Sequence, residues 1–147
     1  MSNRTEESLR IRQFDFSNDY EQLVQLWKAI EKGVHLGPSD APDEILKKLQ
    51  RDPDLFLVAE LRGQLIGSVI GGYDGRRGFI YHLAVAASFR QQGVAGQLMK
   101  EVEKRLRSLG CIRCYLFVTP DNTEAMQYYQ KHGWSLMDNL PYAKDLT

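Results

Sequence analysis

Three apolar, β-branched segments follow one another in the middle of the chain, separated only by short turns that contain glycine. The segments are 54–61, 65–73 and 79–86, and the turns between them are Arg62–Gln64 and Asp74–Gly78. Turns of this length close a hairpin, whereas a crossover to a parallel strand needs about a dozen residues. The sequence therefore predicts three strands in an antiparallel meander, and this arrangement constrains the rest of the fold.

A long amphipathic segment follows the meander and predicts a helix at 94–109. Its apolar residues recur every three or four positions, and Gly110 lies just past its end. A β-branched and aromatic run at 111–118 then predicts another strand. Because the connection from the strand at 79–86 is long enough for a right-handed crossover, we expect these two strands to be parallel.

The flanking segments predict further elements from their apolar periods and capping residues. Asn18-x-x-Glu21 and Asp121-x-x-Glu124 are capping-box signatures that predict the starts of the first and last helices. A chain of 147 residues is too short for two ordinary domains, so we expect a flexible tail at 1–8 and one domain at 9–147. The remaining predicted elements are a strand at 9–14, a first helix that ends at Gly33, a short helix around Ile45, Leu46 and Leu49, a last helix from Asn122 to about His132, and short strands near 134–140.

Charge and hydropathy exclude several classes of function. Lysine plus arginine and aspartate plus glutamate each number 19, so the formal net charge is zero and no global field attracts nucleic acid. The N-terminal residues hold no apolar signal segment, and the longest apolar run, Leu55–Ala59, is far shorter than the ~20 residues of a membrane helix. We therefore expect a cytoplasmic protein with no nucleic-acid or membrane partner, in which any phosphate recognition is local.

The two cysteines, Cys111 and Cys114, form a C-x-x-C pattern inside the predicted strand at 111–118. Side chains three apart in a strand point to opposite faces, so this context disfavours a redox pair. A zinc site needs four ligands, and the chain has no second cysteine pair. We therefore expect two small core residues and no metal site.

A polar loop with a glycine joins the third meander strand to the long helix, at Arg90–Gly96. Backbone N–H groups at a helix start have no partners within the helix and lie at the positive end of its dipole, so they can bind a phosphate. Gly93 allows close approach, and Arg90 can add a charged contact. The segment lacks the lysine of a P-loop and the three glycines of a dinucleotide fold. Taken alone, Gly93 is more typical of an ordinary loop or cap than of a phosphate site.

Two motifs at compatible spacing resemble those of the GNAT superfamily of N-acetyltransferases. Arg90-Gln91-Gln92-Gly93-Val94-Ala95 matches the family's R/Q-x-x-G-x-G/A pyrophosphate motif. Asn122, Ala125, Tyr129, Gly133 and Trp134 resemble its N-x-x-A-x-x-x-Y-x-x-x-G-F/W segment. The order of elements also agrees from residue 9 onwards, and LFLVAE (55–60) and GGYDGRRG (71–78) look like the bacterial YpeA-type branch.

The resemblance implies an α+β fold of three αβα layers with about four helices around a mixed, mostly antiparallel sheet of about seven strands. It also implies acetyl-CoA as the acyl-donor cosubstrate, bound where one pair of parallel strands splays apart. The backbone N–H near Val85 would stabilise the oxyanion. By the same resemblance, the cofactor contacts are Leu83, Ala84 and Val85 on the pantetheine arm, Arg90, Gln91, Gln92, Gly93, Val94, Ala95 and Gly96 on the pyrophosphate, and Asn122 near the thioester.

The chemistry requires an acid and a base, since an alkyl amine is almost entirely protonated at pH 7. Tyr129 occupies the family's position for the proton donor to the departing thiolate, although it can also be interpreted as a packed helix aromatic. Some family members use a glutamate early in the central strand as the base, and Phe79 stands at the aligned position. His82 is then the nearest candidate, because imidazole in general titrates near neutrality. Tyr81, Glu60 and a relayed water are alternatives.

The sequence thus predicts an N-acetyltransferase that acts on a primary amine of a small molecule, peptide or protein by direct transfer in a ternary complex. The alternative is an acyl-CoA-binding regulatory module with weak or no catalysis, since Phe79 replaces the family's glutamate. The expected partners are acetyl-CoA and an amine acceptor. The acceptor's identity and the oligomeric state, a homodimer included, are left open.

Overall fold

A mixed five-stranded sheet is the centre of the first of two units in the computed structural model, which describes residues 8–147. This unit ends at Phe117, and residues 118–147 form the second. The tail predicted at 1–8 lies outside the described residues, apart from Ser8, and the single domain stays a prediction. The strands, in sheet order, are β1 Arg10–Gln13, β2 Phe56–Leu61, β3 Gln64–Tyr73, β4 Gly78–Val85 and β5 Cys114–Tyr115.

The antiparallel meander and the parallel pair are confirmed. Strands β1 to β4 pair antiparallel in sequence order, and β4 pairs with β5 in parallel. The crossover between β4 and β5 contains the predicted long helix. The α-helices are α1 Phe16–Ala29, α2 Pro42–Arg51, α3 Val94–Ser108 and α4 Thr123–Lys131, and short 3₁₀ turns lie at Pro38–Asp40, Pro53–Leu55 and Ala87–Phe89. Within the part of the chain that is described, no helix has the length and apolarity needed to cross a bilayer.

The helix boundaries differ from the predicted caps. Helix α1 begins after Asp15, whose carbonyl accepts from the N–H of Asp19 at 2.8 Å, so the predicted start at Asn18 is wrong. It ends at Ala29 because the next residue, Ile30, turns into an extended conformation and packs on the core, well before Gly33. Helix α4 is capped by Asn122 instead of Asp121, since the Asn122 side chain accepts from Ala125 N at 3.2 Å.

The predicted count of about seven strands is also wrong, because residues 8–147 contain five. Strand β5 has two residues instead of the eight at 111–118, and it pairs only with the first two residues of β4. The second unit has no strand at 134–140. Apolar residues there fall at 134, 136, 137 and 140, so the alternation that a half-buried strand requires breaks after 136.

Helices α1 and α3 cover opposite faces of the sheet, as the three-layer expectation requires. On one face, the buried Trp27 of α1 hydrogen-bonds to Ser68 of β3. On the other, α3 lies close to β3 over two glycines. A Cβ added to Gly67 would lie 3.0 Å from Leu98 Cδ1, and one added to Gly71 would lie 2.8 Å from Val102 Cγ2. The missing side chains therefore set how closely the helix approaches the sheet.

Gly71→Ala is expected to lower the free energy of unfolding by about 1–3 kcal/mol, because the new methyl overpacks against the fully buried Val102. Gly72→Ala is the matched control, since its added Cβ would meet only Lys48 Nζ, at 3.8 Å. Urea denaturation of both variants measures the difference. A Gly71→Ala protein as stable as the Gly72→Ala protein would contradict the close packing of α3.

The cysteine side chains lie together, contrary to the expectation of opposite faces. The Cys111 and Cys114 sulfurs are 3.9 Å apart, and both thiols are free. The strand begins only at Cys114, so strand alternation does not apply to the residues before it. Cys111 is buried as expected, and burial, followed by the neighbouring thiol, raises the pKa of Cys114 to about 12. Cys114 is therefore protonated and weakly nucleophilic at neutral pH.

Candidate functional site

Strands β4 and β5 separate soon after they meet. Their ladder consists of Gly78 opposite Cys114 and Phe79 opposite Tyr115. Within residues 8–117, β4 continues from Ile80 to Val85 without a partner on its β5 side. Leu83, Ala84 and Val85, predicted to bind the pantetheine arm, lie on this part of the strand. An extended ligand can add to such an edge through backbone hydrogen bonds.

The predicted pyrophosphate loop connects the end of β4 to the start of α3. Two of its residues have left-handed backbones, Gln91 with φ 62° and Gly93 with φ 82°. Gly93 is the N-cap and provides no side-chain acceptor, and the first helical bond runs from Gln97 N to Gly93 O at 3.1 Å. The N–H groups of residues 94–96 consequently have no partner within the helix. No acidic residue lies in the first turn, so the arrangement favours an anion.

Side chains of the loop bind back to the preceding backbone. Arg90 Nε donates to the carbonyl of Val85 at 3.4 Å, and Gln92 Nε2 donates to the carbonyl of Ser88 at 3.3 Å. Both side chains belong to exposed residues. The loop is therefore anchored to the end of β4, with the Arg90 guanidinium at its rim. Of the seven consecutive residues predicted for the pyrophosphate, four lie in the loop and the last three, Val94–Gly96, form the first turn of α3.

A β-bulge interrupts β4 at His82. Ser68 pairs with Ala84 and Ile70 with Tyr81, so two steps along β3 match three along β4. His82 has φ 52°, which costs a non-glycine residue roughly 1–2 kcal/mol. Two hydrogen bonds stabilise the bulge: Trp27 Nε1 donates to Ser68 Oγ at 2.9 Å, and Ser68 Oγ donates to the His82 carbonyl at 2.9 Å.

The imidazole of His82 lies against Asp40, a residue that the sequence interpretation missed. His82 Nε2 is 2.8 Å from Asp40 Oδ1, and the Trp27 ring packs edge-on with centroids 4.7 Å apart. The side chains of His82 and Asp40 are only 16% and 11% exposed. No spacing rule relates two residues 42 positions apart, so the sequence held no signal for this contact.

The alternative bases are placed less favourably. Burial, with smaller effects of Asp40 and Asp52, raises the pKa of Tyr81, so its phenol stays protonated at neutral pH. The carboxylate of Glu60 lies 3.4 Å from Arg12 NH2 in an ion pair. His82 is therefore the candidate whose side chain is neither held in an ion pair with an arginine nor a phenol of raised pKa.

The second unit contains the other two predicted site residues on or beside α4. Asn122 caps the helix through its side-chain oxygen. Tyr129 packs its ring 5.5 Å from Tyr128 and 5.9 Å from Trp134, and its carbonyl accepts from Trp134 N at 3.0 Å. Burial and the neighbouring Tyr128 raise the pKa of Tyr129 to about 12. Its hydroxyl therefore keeps its proton throughout the neutral range.

Comparison with known proteins agrees with this architecture. Residues 20–134 match the acetyltransferase (GNAT) family. The chain is 40% identical over 130 residues to an acetyltransferase of Pectobacterium atrosepticum, covering 88% of this chain and 90% of that one. It is 39% identical over 139 residues to an acetyltransferase of Yersinia enterocolitica, with coverages of 94% and 96%.

Among solved structures, the PaiA N-acetyltransferase of Thermoplasma acidophilum in complex with coenzyme A is similar in fold. Its TM-score is 0.78 at 21% identity, and the alignment covers 90% of this chain and 92% of that one. The relatives from Pectobacterium and Yersinia agree with the bacterial branch that the local motifs indicated. With a family match over most of its length and close relatives aligned almost end to end, this chain belongs to the acetyltransferase (GNAT) family.

Proposed function

We propose that this enzyme transfers an acetyl group from acetyl-CoA to a primary amine of a small molecule, peptide or protein, directly within a ternary complex. The observation that carries the proposal is the anchored loop at 90–96, which presents unpaired helix N–H groups beside the free edge of β4. An anion site next to an open strand edge suits a ligand with a diphosphate and an extended, amide-containing arm. The coenzyme A complex of the PaiA enzyme supports the same choice of cosubstrate.

The residues of the first unit fit this cosubstrate. A Cβ added to Gly93 would meet no atom within 4 Å, so space in front of the helix is open for a pyrophosphate. In this proposal the N–H groups of Val94, Ala95 and Gly96 bind the diphosphate and Arg90 adds a charge-assisted contact. Leu83, Ala84 and Val85 pair with the pantetheine amides, and Asn122 contacts the cofactor near the thioester.

The reaction requires three proton movements. His82 removes a proton from the acceptor ammonium, and the free amine nitrogen then attacks the thioester carbonyl carbon. The backbone N–H near Val85 stabilises the oxyanion. When the carbon–sulfur bond breaks, Tyr129 donates to the departing thiolate, and the second proton lost by the attacking nitrogen returns to the tyrosinate, so that an amide and a thiol are formed. The raised pKa of Tyr129 supports this role because the hydroxyl remains protonated at working pH.

One observation favours a second candidate, a regulatory module that binds acyl-CoA without catalysis. Phe79 stands where some family members carry the basic glutamate, and it packs with Tyr115 and Phe117 at centroid distances of 5.7 and 5.9 Å. This aromatic cluster offers no proton acceptor on that part of β4.

Calorimetry with acetyl-CoA and a thiol-release assay over a panel of amines separate the two candidates. The proposed transferase binds acetyl-CoA and releases thiol only when a suitable amine is present. Tight binding without amine-dependent thiol from any member of the panel would favour the module. Absence of acetyl-CoA binding would overturn both.

A further inference from the structure

The two carboxylate oxygens of Asp40 have different partners. One accepts a hydrogen bond from the backbone of its own turn, and the other contacts the imidazole of His82. The N–H of Gly37 donates to Asp40 Oδ2 at 3.0 Å, and Asp40 N donates back to the Gly37 carbonyl at 3.0 Å. The second oxygen, Oδ1, lies 2.8 Å from His82 Nε2. The carboxylate is therefore oriented by the 3₁₀ turn at Pro38–Asp40 independently of His82.

The imidazole is fixed from the other side by its own backbone and by α1. His82 sits at the bulge in a left-handed conformation, its carbonyl accepts from Ser68, and its ring packs against Trp27. Backbone strain of this kind is retained when the surrounding structure enforces it, and it concentrates at functional sites. Nothing about sheet pairing requires a histidine at the bulge, whereas an oriented acid–base group does require such support.

We propose that Asp40 and His82 act as a dyad in which Asp40 orients the imidazole, while His82 Nδ1 takes the proton from the acceptor amine. Because Nε2–H donates to the carboxylate, the lone pair of the neutral ring is on Nδ1. The proton moves from the ammonium nitrogen to Nδ1, both ring nitrogens then carry hydrogen, and the proton returns to solvent after the product leaves. This inference rests on the acetyl transfer proposed above. It makes His82 the catalytic residue and Asp40 a positioning residue.

Within residues 8–117, the groups that contact the imidazole come from three elements. Trp27 of α1 is neutral, and Tyr81 of β4, with its ring centroid 5.5 Å away, stays protonated because burial raises its pKa. Asp40, from the 3₁₀ turn, is the charged member of this set. Its carboxylate is therefore the group in this set that can hold Nε2–H by a charge-assisted hydrogen bond.

The test is Asp40→Asn, which keeps the shape and an acceptor oxygen but removes the charge. We expect kcat to fall about 10- to 100-fold, with affinity for acetyl-CoA unchanged, because the asparagine NH2 can donate to Nε2 and so favour the tautomer whose lone pair is not on Nδ1. Asp43→Asn, an exposed carboxylate three residues away, should change neither of these quantities.

His82→Asn completes the experiment, because asparagine tolerates the left-handed backbone of the bulge. It should lower kcat at least about 100-fold, and adding Asp40→Asn to it should have no further effect on kcat. If Asp40→Asn lowers kcat by the same factor in the wild-type and the His82→Asn backgrounds, the dyad is refuted while acetyl transfer stands. An Asp40→Asn enzyme with unchanged kcat refutes the positioning role of Asp40. A wild type that releases no thiol with any amine overturns the proposed function, and the dyad with it.

Discussion

Replacing Gly93 by valine is expected to weaken acetyl-CoA binding at least about a hundredfold, which corresponds to ~2.7 kcal/mol. Gly93 has φ 82° and caps α3 with open space around its α-carbon, so a branched side chain would occupy the volume proposed for the pyrophosphate. It would also push the ligand away from the helix N–H groups, which bind only at close range. Isothermal calorimetry with acetyl-CoA measures the loss directly.

The matched control for this variant is Gly63→Val in the turn between β2 and β3. Gly63 has a similar left-handed backbone, with φ 75°, and an added Cβ there also meets nothing within 4 Å. Both valines should therefore destabilise the fold by a similar amount, and the difference in affinity isolates the ligand contact. Equal acetyl-CoA affinities for the two variants would place the diphosphate elsewhere.

Tyr129→Phe is expected to lower kcat by about 100- to 1,000-fold with little change in affinity for acetyl-CoA, the range typical for loss of a general acid. The hydroxyl is the only group removed, and its pKa of about 12 keeps it protonated in the wild type. For the same reason, ionisation of Tyr129 should cause no loss of activity below about pH 10. Steady-state kinetics and a pH profile between 6 and 10 check both statements.

Tyr128→Phe serves as the control for packing, because Tyr128 is the adjacent aromatic on α4 and its ring contacts that of Tyr129. We expect it to retain activity within a few fold. A Tyr129→Phe enzyme that turns over as fast as the Tyr128→Phe enzyme would reduce Tyr129 to a packing role and would leave the thiolate donor unidentified.

The local parts of the fold were predictable because their signals are local. The turns that contain Gly63 and Gly75 predicted the antiparallel meander, and the observed pairing of β2, β3 and β4 confirms it. The apolar stripe at 94–109 predicted the crossover helix, and α3 ends only one residue earlier, at Ser108. The loop at 90–96 was located by a motif that lies within seven consecutive residues. The extent of a strand depends on pairing with another strand that is distant in the sequence, so it was not predictable in the same way. Residues 111–118 have strand composition, yet only two of them pair with β4.

The contact between Asp40 and His82 was not predictable either, because it also depends on residues that are distant in the sequence. Asp40 reaches His82 because a bulge changes the alternation of β4, and that bulge depends on hydrogen bonds from Ser68 and, behind it, Trp27. Simple alternation predicts opposite faces for residues one apart or three apart. The prediction for the cysteines failed because their sulfurs meet before β5 begins. Alternation does not hold across the bulge either, where Tyr81 and Ala84 lie opposite Ile70 and Ser68 of β3.

The two glycines beneath α3 determine more than the packing of a helix. Since α3 starts directly after the loop at 90–96, its height above β3 also sets the spacing between the terminal amides and the free edge of β4. Enlarging Gly67 or Gly71 would change this spacing while leaving every proposed ligand-contacting residue intact. A random screen for reduced cofactor affinity should accordingly recover substitutions from the interior of the protein.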